Sequence, residues 1–220
     1  MKKYGVVAVC AGDGLAAAFG ELGVDRIITG GQTMNPSTDD ILTEINKTPA
    51  EIVFVLPNNK NIIMAAEQCK KLSTEKKVVI VPTKTVPQGV SAMCVFDESL
   101  EEEELQSAMM EAASGVHTVQ ITYAARDSEF DGMHIQAGEY LALLESALIA
   151  NESDFSALIA KVCDAIGPFD PELITLFYGE DVDEEAAEAT ANRISLAFPD
   201  AELTPIPGGQ PVYYYMISVE

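Results

Sequence analysis

The chain has 220 residues, 48% of them hydrophobic and 22% charged, proportions that suit a packed globular core and not a disordered segment. Its 35 acidic residues outweigh 13 basic ones for a net charge of −22, a field that repels phosphate backbones and argues against nucleic-acid binding. No apolar run approaches the ~20 residues of a membrane-spanning helix.

The opening "MKKYGVVAVCAG" has the two lysines and short apolar run of a signal peptide. That run is at the lower edge of such a region and Asp13 interrupts it, so a buried first strand over 5–10 and a cytoplasmic protein are the preferred reading. A short helix over 15–22 follows, stopped by Gly23. "RIITGG" reads as a second strand, and Ser37 with Asp40 as a capping box opening a helix over Asp39–Asn46. "EIVFVLP" is a third strand. Asn58 and Asn59 open a helix with an apolar face of Ile62, Ile63, Ala66 and Cys69. "KVVIVP" is a fourth strand, "VSAMCVF" begins a further element, and Ser99 with Glu102 caps a helix whose first turn holds the run "EEEE".

After Gly115 the pattern changes. "HTVQITYA" alternates as a half-buried strand, and "MHIQAGEYLALLESALIA" reads as paired strands around short turns. A helix over 154–166, strand "ELITLFYG", helix 184–197, strand "AELTPI" and a last strand "VYYYMISV" complete the chain. The expected fold is α/β in two lobes. The first, over 1–115, is a mostly parallel sheet with helices on both faces; the second, over 116–220, is mixed α/β with more antiparallel pairing.

Several motifs invite a functional reading. Gly12-x-Gly14-x-x-Ala17 matches the dinucleotide fingerprint. However, Asp13 puts a negative charge in the loop that would face a pyrophosphate, and the second strand ends in Thr29-Gly30-Gly31 where a ribose-binding acid is expected. A tight turn is preferred, with an enzyme using this loop as a third-ranked reading. "GGQTMNPST" offers Gly30, Gly31, Gln32, Thr33, Asn35 and Ser37. "LPNNKNI" offers Asn58, Asn59, Lys60 and Asn61, amides and an ammonium at a helix start, suited either to capping or to holding an anion. "PTKTVPQG" offers Thr83, Lys84 and Gln88. All these loops follow strands, so they share the carboxyl edge of a parallel sheet, where ligands bind in open α/β folds.

Arg126 and Asp127 at a strand end read first as a structural salt bridge and second as site residues. A second glycine–glycine–glutamine turn, Gly208, Gly209 and Gln210, precedes the last strand. No triad, Walker loop or cluster of metal ligands is discernible, so no catalytic residue and no metal is assigned. Cys10, Cys69, Cys94 and Cys163 are expected as reduced thiols in apolar surroundings.

At "GGQTMNPST", "LPNNKNI", "VPTKTVPQG", "TYAARD" and the terminal "GGQPVYYYMISVE" the sequence resembles, in order and over nearly its whole length, the C-terminal domain of the FakA family. FakA is the ATP-using component of bacterial fatty acid kinase, related to dihydroxyacetone kinases. The resemblance implies a two-lobed fold related to DegV, which is also the fold of the fatty-acid carrier FakB. It implies a non-catalytic domain that docks FakB, with ATP and Mg²⁺ confined to an upstream DhaL-like kinase domain that a linker domain joins to it. The chain is then expected to be either a domain of a longer protein or a natural short homologue. By position "GGQTMNPST" and "PNNKN" are similar to two loops with which DegV-type proteins hold a fatty-acid carboxylate, with Gly-Gly in place of Thr-Ser and no Ser-Gly-Thr. The alternative is a stand-alone DegV-like binder of a fatty acid or other small anion.

Overall fold

Lys2–Cys10 forms a nine-residue strand, β1, buried from Tyr4 onward. With β2 (Arg26–Thr29), β3 (Ala50–Leu56) and β4 (Lys77–Ile80) it makes a parallel sheet of order β2-β1-β3-β4. The computed structural model describes all 220 residues, in two units, Met1–Val116 and His117–Glu220. In the first unit, Val7, Val9, Val53, Val55 and Ile80 pack with Ile41 and Ile45 of α2 (Thr38–Lys47) and with Ala66 and Cys69 of α3 (Ile63–Leu72). The alternate residues Val6, Ala8, Phe54 and Leu56 are equally buried. On their side lie α1 (Asp13–Glu21), α4 (Val86–Cys94) and α5 (Glu102–Ser114). Phe54 meets Phe96, just past α4, edge-on at 6.1 Å, and the Gln106 amide of α5 donates to the Ile80 carbonyl at 2.8 Å. Burial on both faces is why these strands are unbroken apolar runs.

Local signals set most helix ends. The capping box before α2 is formed: the Asp40 amide donates to Ser37 Oγ at 3.1 Å, and the Ser37 amide to the Asp40 carboxylate at 2.8 Å. Three expectations are corrected. Asn58 and Asn59 do not cap α3, which starts four residues later behind Ile62. "VPQG", read among the loops, is instead the start of α4, which opens four residues before "VSAMCVF" behind Thr85, whose hydroxyl accepts from the Gln88 amide, with Pro87 in the first turn. Ser99 makes no box with Glu102; its amide donates to Asp97 instead, and Glu101 stands at the α5 N-cap.

The second unit is a mixed sheet of order β11-β10-β12-β5-β8-β9. Its strands are β5 (His117–Tyr123), β8 (Tyr140–Leu144), β9 (Ala147–Glu152), β10 (Leu173–Tyr178), β11 (Glu202–Pro207) and β12 (Tyr215–Val219); β6 (Ser128–Phe130) and β7 (Met133–Ile135) form a separate hairpin. Only β10 and β11 pair in parallel, joined through α7 (Glu184–Ala197). Residues at every second position, such as Val119, Ile121, Ile174, Leu176, Ile217 and Val219, pack against Leu158, Ile159 and Val162 of α6 (Phe155–Ile166) and Ala187, Ala191 and Ile194 of α7. β12 begins at Tyr215, not at Val212 as the tyrosine run suggested, because Val212 takes φ 72 and breaks the extended backbone.

Replacing Ser37→Ala removes the reciprocal cap, and about 1 kcal/mol of stability should go with it. The two hydrogen bonds from Ser37 lower the Asp40 pKa, a contribution present above the carboxyl's unfolded value and lost as pH falls through its folded one. The gap between wild type and Ser37→Ala in urea unfolding should therefore narrow on acidification below the usual carboxylate range.

Candidate functional site

In the order β2-β1-β3-β4 the chain reverses direction of growth between β1 and β3, so the crevice beyond their carboxyl ends is the fold's default ligand position. Asn58 occupies it. Its side chain is 7% exposed; Nδ2 donates to the Val9 carbonyl at 2.9 Å, and Oδ1 accepts from the Thr83 hydroxyl at 2.8 Å. The Asn58 amide in turn donates to Thr83 Oγ1 at 3.0 Å. Asn58 takes φ 55, a left-handed conformation that asparagine tolerates better than most residues. Gly89 follows from this: a Cβ there would lie 2.1 Å from Asn58 Oδ1.

Some of the other sequence-derived candidates of this unit are also committed internally. Asn59 Nδ2 donates to the Gly31 carbonyl at 2.6 Å and its Oδ1 accepts from the Asn61 amide at 2.8 Å. Gly31, at φ 93, closes the first glycine–glycine–glutamine turn by donating to the Met34 carbonyl. Gln88 Oε1 accepts from the Lys84 amide at 2.8 Å. Gln32, Thr33, Asn35, Lys60 and Lys84 remain at the surface.

Two small cavities flank these loops. One, of about 390 Å³, brings Asn35 beside the carboxylates of Asp40 and Glu44, the wrong charge for an anion. The other, of about 210 Å³, sets Lys84 and Gln88 beside Val81 and Met110, and is smaller than the ~300–1,000 Å³ usual for small-molecule sites.

In the second unit the expected Arg126–Asp127 ion pair is absent: Asp127 accepts from the Ala137 amide at 2.8 Å, and Arg126 is exposed. Gly208 and Gly209 both donate to the Tyr178 carbonyl, and the buried Gln210 side chain donates to the Phe177 carbonyl at 3.0 Å. This turn is a staple across the end of β10.

The same unit holds a cavity that the sequence reading missed. It has a volume of about 500 Å³ and lies among α6, α7, β8 and β12, within the small-molecule range. Tyr140, Phe155, Tyr214 and Tyr215 wall it. Tyr140 meets Phe155 edge-on at 5.2 Å and Tyr214 at 5.8 Å, and Phe155 meets Tyr215 at 5.7 Å. Ile159, Val182, Ala186 and Ala189 add apolar surface. The Tyr215 hydroxyl lies 3.0 Å from that of Thr190; burial foremost pushes its pKa up, so it stays protonated. Arg193 lies on the α7 wall, and Asp181 and Asp183 at the helix's N-terminal end. The one local signal was the run Tyr213–Tyr215; the remaining wall residues come from separate elements.

No cysteine is in a disulfide, and Cys94 is exposed instead of lying in apolar surroundings. Burial pushes the thiols of Cys10 and Cys69 up to about 12 and about 11, which leaves neither a nucleophile near neutral pH. No group of three or more His, Cys, Asp or Glu side chains is placed to hold a metal ion, and no helix is long and apolar enough to cross a membrane.

A family model for the C-terminal region of FakA-like fatty acid kinase proteins matches residues 5–220. Protein YloV of Bacillus subtilis (strain 168) is 39% identical over 220 residues, all of this chain and 39% of its own length. The chain thus spans about 39% of the length of the curated relatives it matches. The DegV family protein Cg2579 from Corynebacterium glutamicum superposes with a TM-score of 0.74 at 14% identity, over 99% of this chain and 96% of that one. The Fak B3 protein of Streptococcus pneumoniae, solved loaded with linoleic acid, superposes with a TM-score of 0.66 at 11% identity, over 100% and 99%. These likenesses show a shared fold, as expected from the alternation of strands and helices. They correct the role taken from the resemblance. The expected docking part of a kinase matches, end to end, whole DegV-type proteins, and the carrier is itself one of them.

If Asn58 braces the crevice, Gly89→Ala should cost about 3 kcal/mol, because the new methyl overlaps a buried, hydrogen-bonded side chain. The same change in an Asn58→Gly background should cost less, with a coupling of about 1 kcal/mol or more in a denaturation double-mutant cycle. Additive costs would remove the bracing account.

Proposed function

The chain belongs to the family of FakA-like C-terminal domains, and on that premise we propose that it is a DegV-like binder of a fatty acid or another small anion, acting in the cytoplasm. The observation that carries the reading is the aromatic-walled cavity of about 500 Å³ in the second unit. An alkyl chain needs apolar walls, which Tyr140, Phe155, Ile159 and Val182 supply. Each methylene removed from water contributes about 0.8 kcal/mol, so affinity should rise with chain length until the walls are filled. The linoleic acid of the Streptococcus pneumoniae neighbour supports the choice of ligand class. In this reading the chain binds and does no chemistry, and neither ATP nor Mg²⁺ has a place in it.

The test is calorimetric titration of delipidated protein with dodecanoate below its micelle concentration, on wild type and Ala189→Trp. Ala189 is an exposed residue of the cavity wall, so an indole there occupies the space without disturbing the core. Saturable binding by wild type, weakened at least about tenfold (1.4 kcal/mol) in a variant with unchanged melting temperature, is the expected result. No saturable binding, or binding indifferent to the indole, would reject the proposal.

A further inference from the structure

We propose that Arg193 receives the head group, so that the cavity takes a carboxylate amphiphile in one orientation, with its acid at Arg193 and its chain along the aromatic wall. This deepens the reading above and rests on it. The first ground is charge. The charged residues lining the cavity are Arg193, Asp181 and Asp183, and the two acids sit at the N-terminal end of α7. Asp183 is the N-cap there and accepts from the Ala186 amide at 2.8 Å. Ten residues separate it from Arg193, a rise of about 15 Å along the helix, beyond the ~8 Å screening length at physiological salt. A carboxylate at Arg193 is therefore largely free of the acids' repulsion, whereas one at the other end meets both at close range.

The second ground is the state of the donors. No ion pair or hydrogen bond engages Arg193, in contrast to the eight ion pairs formed elsewhere, such as Lys2 with Asp25 at 2.8 Å. In the first unit the amides of Asn58 and Asn59 are spent on the Val9 and Gly31 carbonyls. The Thr190 and Tyr215 hydroxyls are paired with one another. Arg193 is thus the one cationic donor of the cavity, it has no partner, and its planar fork fits a carboxylate in two parallel hydrogen bonds, which the neutral hydroxyls of Ser156, Tyr140 and Tyr214 cannot offer.

The experiment titrates dodecanoate, dodecanol and dodecyltrimethylammonium into wild type, Arg193→Met and Arg193→Lys. Arg193 is exposed, so both variants should fold, and circular dichroism checks this. The inference expects wild type to prefer dodecanoate over the other two. Arg193→Met should lose about tenfold or more in dodecanoate affinity and leave dodecanol unchanged, with Arg193→Lys between them because it keeps the charge and loses the fork. Unchanged dodecanoate affinity in Arg193→Met overturns the head-group assignment while the binding function stands. A wild-type preference for dodecyltrimethylammonium overturns it too, placing the head at Asp181 and the tyrosines as a cation site. Failure of wild type to bind any of the three rejects this inference and the function together.

Discussion

A buried amide must satisfy both its ends, and Asn58 does so across the carboxyl ends of three parallel strands. It reaches back to Val9 at the end of β1 and forward to Thr83 beyond β4. Leaving such a group unpaired costs about 1–3 kcal/mol, so the surrounding chain is arranged around it. Gly89 has no side chain because Asn58 Oδ1 is where a Cβ would contact it. α4 therefore begins with a glycine in its first turns, held by the Thr85 cap and Pro87. At the position that an open α/β sheet normally offers to a ligand, the Asn58 side chain is held by Val9 and Thr83.

That allocation moves the functional question to the second unit, where the packing problem is the opposite. Four aromatic rings, Phe155 on α6, Tyr140 on β8, Tyr215 on β12 and Tyr214 just before it, meet edge to face or tilted along one wall of the cavity. α7 contributes Ala186 and Ala189 to the facing wall, residues too small to fill the space. Polar groups are few. The Thr190 and Tyr215 hydroxyls satisfy each other, the aspartates gather at one end, and a single guanidinium is the one cation among neutral hydroxyls of Ser156, Tyr140 and Tyr214. The proposed ligand, with a long apolar part and one anionic end, needs this arrangement.

Much of the fold was legible because its causes are local. Strands buried on both faces read as "GVVAVC" and "EIVFVL", and Ser37 with Asp40 marked α2 by hydrogen bonds that reach only three residues. The functional surface was less legible, for two reasons. Asn58, Asn59 and Lys60 look like donors awaiting an anion, and only the left-handed turn at Asn58 reveals that both amides are consumed by carbonyls 49 and 28 residues away. The cavity is built from residues between 140 and 215, so no short window contains it. Nothing in the sequence around Arg193 shows that α7 places it in the wall of a cavity shared with Tyr140 and Tyr215.

The most direct test of the account is to map bound dodecanoate by backbone and side-chain amide chemical shifts on the intact chain. The account predicts the largest, saturable shifts at Phe155, Ile159, Thr190, Arg193 and Tyr215, with residues 30–37, 58–61 and 83–88 nearly still. Shifts concentrated in those three loops, with the aromatic cavity silent, would contradict it.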